Sequence, residues 1–400
     1  MDETKHGSSE ASLHLENATP TQASLGLPRH HPSSESPSNP RNWPLWKKNA
    51  QILMVAFHSM MGTFMAAGII PAYDALAELY GITVPQASYL TSIQILMLGL
   101  SPLIWNPITA TYGRYNVSLL SVLGSLVCNI GGARCTSYGG QMTTRILTAF
   151  LISPPIGIGS GVITELCELE ERGTKLGWWV LLTTIGTPVG PLTMGFVTQH
   201  IGVEWIFWIF AIVNFVQFIF YLALGDETIY HEENETEDSS FWAKMKFRKR
   251  GTKTISYADI VAPFSLVKCP RVLVAAFALA ITFCYGNIAL IVEMPIAFGK
   301  RFNFNAQQIG LQFIAIVIGC VLGEQVSGPG SDWFLRRVRQ IKGYYHPADR
   351  LWFTYIAFST VISGLLTWGY QLQHATNWNI TPCIGAAIAS FGCQSLTALL

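Results

Sequence analysis

Charged side chains are scarce in this sequence: Asp, Glu, Lys and Arg make up 12% of its 400 residues, against about 25% in an ordinary soluble domain. That scarcity excludes a surface solvated all round. The polar N-terminal stretch contains no apolar core of the kind a cleavable signal peptide needs. There is no G-x-x-x-x-G-K-(S/T) phosphate loop and no H-E-x-x-H or close His/Cys set, so ATP-driven transport, a metal centre and a cofactor have no motif to rest on. A formal net charge of +1 supplies no basic field for nucleic acid. The eight cysteines form no C-x-x-C pair and fall mostly in apolar runs, where they read as small apolar fillers.

What is present is apolar length. Half of the residues are hydrophobic, with 12 Trp and 35 Gly among them. A bilayer-crossing helix needs about 20 mostly apolar residues, and ten such stretches can be read: Ala50 to Ile70, Ala87 to Ala110, Val117 to Ala133, Thr143 to Thr164, Leu176 to Val197, Ile206 to Leu224, Val272 to Phe298, Ile309 to Val326, Trp352 to Leu372 and Ile384 to Leu400. The fold class expected is therefore an all-α polytopic membrane protein. With the N-terminus placed in the cytoplasm, 21 of the 25 Lys and Arg residues fall in inner segments, which the positive-inside rule favours.

Four regions follow. Residues 1–44 are polar and rich in Ser, Pro and His, and are expected to be a disordered cytoplasmic tail. Residues 45–225 hold six spans, and 226–271 form a linker that begins acidic (HEENETEDSS) and turns basic (KMKFRKRGTK). The basic part either rests on anionic headgroups or is a solvated charge run. Residues 272–400 hold four more spans, and the sequence stops at Leu400 inside an apolar run. Two multi-span halves joined by a cytoplasmic linker match transporters built from parallel repeats. NPITATYGRY in the second-to-third loop and GPGSDWFLRR in the eighth-to-ninth loop occupy equivalent places. On this reading the second half lacks two helices, and the chain is either a fragment or a ten-span variant.

Several long stretches carry a more specific likeness: NPRNWPLWKK, AGIIPAYDALAELYG, ASYLTSIQILMLGLSPLIW, GPLTMGF, EWIFWIFAIVNFVQFIFYL and FNFNAQQIGLQFIAIVIGCVLGEQVSGPGSDW. From Asn39 to Leu400 the chain resembles the fungal branch of the major facilitator superfamily grouped with drug:proton antiporters and with polyamine and organic-cation carriers. The resemblance implies two six-helix halves that alternate access to a central site. It also implies a cytoplasmic gate motif, G-x-x-x-D-(R/K)-x-G-(R/K)-(R/K). The first copy keeps Gly113 and Arg114 but has Asn106, Ala110 and Thr111 at three other motif positions. The second keeps Gly328 and Asp332, followed by Arg336 and Arg337. The arginines can equally be positive-inside anchors. In the fifth span Gly186, Gly190, Pro191 and Gly195 follow the antiporter pattern G-x-x-x-G-P-x-x-x-G, with Met194 where a further Gly is frequent. Close helix packing explains the same glycines.

Arg145 stands at the place of the fourth-span arginine that the resemblance links to proton coupling, with Ala149 where that motif has Gly. Its position near the outer boundary also lets it snorkel to the headgroups. Acids within apolar spans normally face a partner or a cavity, which singles out Glu324 in GCVLGEQVSGPGSDW and Glu293 in NIALIVEMPIAF. Either they exchange protons as a cavity changes sides, or they attract organic cations, with Trp178, Trp179, Phe283 and Tyr285 nearby. His58 reads as a packed or hydrogen-bonded residue, and Asp74 and Glu78 as solvated acids at the outer mouth. Asn379-Ile380-Thr381 is a glycosylation sequon in an outer loop. The function expected is a monomeric, proton-coupled carrier of small cationic or amphipathic organic solutes, in the plasma membrane or the vacuolar membrane. A membrane sensor or a non-transporting remnant of the same fold is the alternative.

Overall fold

The computed structural model describes residues 39–229, 257–342 and 351–399. The expected disordered tail up to residue 38 and most of the expected linker lie outside the described residues. Within the described residues every regular element is helical. The elements are α1 Leu45–Ala67, α2 Tyr73–Tyr80, α3 Val84–Tyr112, α4 Arg114–Ala133, α5 Tyr138–Ile152, α6 Pro154–Leu166, α7 Leu169–His200, α8 Glu204–Leu224, α9 Tyr257–Val261, α10 Pro270–Phe283, α11 Leu290–Phe302, α12 Ala306–Lys342, α13 Trp352–His374 and α14 Thr381–Leu399.

All ten expected spans are helical, and three differ from the simple runs read in the sequence. The fourth is broken at Ser153, because Pro154 and Pro155 cannot donate backbone N–H groups to the preceding turn. The seventh changes to a π-helical stretch at Cys284–Ala289 between α10 and α11. The eighth does not stop at Val326: α12 continues through GPGSDWFLRR for 37 residues in all. The second copy of the loop motif is thus helix, not loop, while the first is a single-residue turn at Gly113. Among the described residues, nine stretches are long and apolar enough to cross a membrane. The remaining expected span, α13, is long enough at 23 residues but is diluted by Thr, Ser, Tyr and Trp.

The distribution of polarity is the reverse of a water-soluble core. Outward faces carry large apolar side chains, for example Ile212, Phe215, Ile219 and Phe220 on α8. Gln94, Asn129, Arg145, Asn214 and Gln217 are buried between helices. Lipid tails solvate the former, and the interior supplies hydrogen bonds to several of the latter.

The first six spans and the last four meet along a seam of α7 against α12, with α14 behind. At the end of the seam near Pro71 the two groups share one apolar cluster, in which Ile70 and Met194 join Phe298, Ile309 and Phe313. At the end near Arg114 the clusters are separate: Ile52, Val162 and Leu166 belong to the first group, and Val361, Cys393 and Leu396 to the second. Among the described residues, the apolar cluster shared across the seam therefore holds it shut at the Pro71 end.

Candidate functional site

The glycine pattern in α7 serves two contacts on different faces. A side chain at Gly190 would meet Phe64 O of α1 at 2.6 Å, and one at Gly186 would meet Met60 O at 2.5 Å. Gly195 instead faces α12, where a Cβ would lie 2.6 Å from Ala306 O and 3.1 Å from Gly310 Cα, and the carbonyl of Pro191 borders Gly310. Two backbones touch there, a proximity only glycine permits. Met194, the departure from the pattern, is 3% exposed and fills the space beside Gly68.

Further along the same seam lies Glu324. Its side chain is 8% exposed, at the junction of α7, α12 and α14. Oε2 accepts a hydrogen bond from Gln394 Nε2 at 2.8 Å. Oε1 lies where a methyl group on Gly177 would come within 2.7 Å of it. The α12 and α14 backbones are close here as well, since a Cβ on Gly323 would approach Phe391 O at 2.6 Å. α12 runs well beyond Val326, where the eighth apolar run was read to end, so Glu324 lies within a continuous helix. No cation partners the carboxylate among the described residues. Glu293 is not brought to the same place: it sits on α11 with an exposed side chain.

The loop end near Arg114 holds an ionic network that motif reading found only in part. Gly113 turns the chain at φ 91° and ψ 154°. Arg114 then starts α4, and its Nη2 pairs with Glu165 Oε1 at 2.7 Å, so it is more than a charge anchor. Glu227 accepts from the backbone N–H of Arg114 at 3.0 Å and of Tyr115 at 3.3 Å, satisfying donors that a helix start leaves open. Lys47 pairs with Asp226 at 2.6 Å. Glu165 and Glu227 were missed because they lie far from the motif in sequence. In the second copy, Gly328 has open space around it and Arg336 and Arg337 are exposed. Asp332 belongs to α12, and its side chain lies outside the described part of the structure.

Arg145 does not snorkel. It is 1% exposed, and its Nη2 donates to Met65 O at 2.9 Å with the guanidinium 5.8 Å from the Phe207 ring centroid. Packing of α5 on α1 places it against the Met65 carbonyl, a facing that sequence position alone does not reveal. His58 is hydrogen-bonded as read, with Nδ1 3.1 Å from Tyr221 Oη and Nε2 3.3 Å from Ser121 Oγ. Trp179 donates to Ser59 Oγ at 3.0 Å, Phe283 packs beside Val361, and Trp178 and Tyr285 are exposed. Asp74 and Glu78 are exposed, as is Asn379, whose side-chain oxygen accepts from Thr381 N at 3.1 Å.

Helical spans around a polar interior, split by a seam shut at one end, define a polytopic carrier architecture. The family model of the Major Facilitator Superfamily matches residues 52–400, and the chain belongs to that superfamily. It is 26% identical over 416 residues to the efflux pump radE of Floropilus chiversii, spanning 98% of this chain and 77% of that protein. It is 26% identical over 308 residues to Fluconazole resistance protein 1 of Saccharomyces cerevisiae, spanning 73% of this chain and 56% of that protein. A bacterial homolog of the human lysosomal transporter Spinster, solved inward-facing and unoccupied, superposes with a TM-score of 0.58 at 14% identity, over 89% of this chain and 75% of the other. The protein is a multi-pass membrane transporter of this superfamily.

Proposed function

We propose that the chain is a proton-coupled secondary transporter that moves small cationic or amphipathic organic solutes by alternating access, with efflux as its direction. The observation that carries this reading is Glu324: a nearly buried acid at the seam between two helix groups, bonded to a neutral amide and, among the described residues, to no cation. An acid in that position is shielded by α7 and α14 in this state and reaches water when the groups rock apart. Such a change is what proton exchange requires. Relatives named as an efflux pump and a fluconazole resistance protein support the direction and the solute class. In this reading residues 45–225 and 272–400 move against each other, the N-terminus and the 226–271 linker are cytoplasmic, and the plasma membrane is the site of action.

The test is solute flux with a simultaneous internal pH readout in proteoliposomes containing the chain. Glu324→Gln keeps the side chain's size and hydrogen bonding but cannot cycle a proton. Flux should fall by at least about tenfold and proton movement should stop, with insertion unchanged. Wild-type pH dependence in that variant would refute the coupling role. Absence of flux from the wild-type chain under every gradient would favour a non-transporting sensor.

A further inference from the structure

The Glu324 seat contains an unmet acceptor. Gln394 is 0% exposed; its Nε2 donates to Glu324 Oε2, yet its Oε1 has no hydrogen-bond partner among the described residues. A buried amide oxygen left without a donor is costly. The chemistry of the neighbour supplies the donor. A protonated carboxyl carries one O–H, and an acid facing a primary amide forms two bonds at once: acid O–H to amide oxygen, and amide N–H to acid carbonyl.

We propose that Gln394 is a positioning residue for a proton on Glu324, the two side chains forming an acid–amide pair in the state seen here, with Gly177 as the bare wall that lets the carboxyl lie flat against them. The inference rests on the proton-coupled reading above. In the loaded state the acid O–H donates to Gln394 Oε1 and the acid carbonyl accepts from Nε2. On release the proton passes to water on the side to which the seam has opened, and the carboxylate keeps only the Nε2 bond. The surroundings bring no competing charge among the described residues. On α14 Ser395 donates to Gly323 O at 3.4 Å, and on α12 Cys320 lies one turn away. The α7 cations point elsewhere, Arg172 to Thr164 O at 3.0 Å and Lys175 to Asn49 Oδ1 at 2.7 Å. On α11, which packs near the start of α12, Glu293 is exposed.

The experiment is difference infrared spectroscopy across a pH titration of the full 400-residue chain in lipid nanodiscs. The wild type should show a carboxylic-acid C=O band that disappears in Glu324→Gln. In Gln394→Leu the band should move to higher frequency, because its carbonyl has lost the N–H donor, and its titration midpoint should shift by about one pH unit or more. Gly177→Ala should produce the same two changes with the amide intact, since its methyl would displace the carboxyl. That variant meets only the far end of a flexible side chain, so it keeps the test in hand if Gln394→Leu does not fold. A band lost in Glu324→Gln but unmoved in the other two variants would overturn the pair and leave the proton-coupled reading standing. A band that survives Glu324→Gln, or no band in the wild type at any pH, would overturn both the pair and the role of Glu324.

Discussion

Gly113 turns the chain at φ 91° and ψ 154°, a region that L side chains enter only at a cost of about 1–3 kcal/mol. Its counterpart Gly328 lies within α12, with no heavy atom within 4 Å of an added Cβ. The two motif glycines therefore carry different obligations. Gly113→Ala should lower the thermal unfolding midpoint of the purified protein. Gly328→Ala should leave it unchanged or raise it, because Ala is favoured over Gly inside a helix by about 0.5–1 kcal/mol. Equal losses in the two variants would contradict this account. Motif reading located both glycines but could not separate them, since a backbone angle is a property of the turn and not of the letter. Arg145 gives the same lesson with more consequence: its depth could be counted along the chain, but the direction it faces depends on how α5 packs on α1.

Helix α7 works as a double-sided packing element, seating α1 at Gly186 and Gly190 and α12 at Gly195. A methyl group at these positions should therefore have distinct effects. Gly190→Ala presses on the Phe64 carbonyl within one helix group and should destabilise that group as a whole. Gly195→Ala presses on α12 and should push the seam apart at the Pro71 end. Spin labels at His200 and Gln307, whose side chains are 2.9 Å apart in the native protein, should report a longer mean distance in Gly195→Ala and no change in Gly190→Ala. A seam that stays shut in Gly195→Ala would refute the assignment of faces. At this scale much was legible. Ten apolar runs marked ten helical spans, and glycines four and five residues apart marked a close approach. The partners were not legible, because Gln394 lies 70 residues from Glu324 and nothing local in either segment names the other. The continuation of α12 was hidden for a different reason: Pro329 between two glycines resembles a turn, yet α12 runs through it without a break.

For the whole molecule, the outward apolar faces and the buried polar seams imply a fixed setting in the bilayer, and the Lys/Arg asymmetry implies its direction. The exposed Cys269, at the foot of α10, should lie on the same side as Lys47 and Asp226. In a chain whose other cysteines are replaced by serine, Cys269 should react with a membrane-impermeant maleimide only after the cells are permeabilised. A single cysteine placed at Asn379 instead should react in intact cells. Labelling of Cys269 from outside would invert the topology and, with it, the side to which the proposed proton site at Glu324 opens.

The length of α12 gives the seam a mechanical ratio. Its 37 residues form a rod about 55 Å long at about 1.5 Å per residue, and its backbone contact with α7, at Gly310, lies close to one tip. A rod pinned so near its end is a lever with a short arm and a long one. Turning it by about 10° around that fulcrum barely displaces the short arm but sweeps the far tip through about 8 Å. A small closure at the pinned tip would thus become a wide opening at the other, and Glu324, partway along the long arm, would be carried with it.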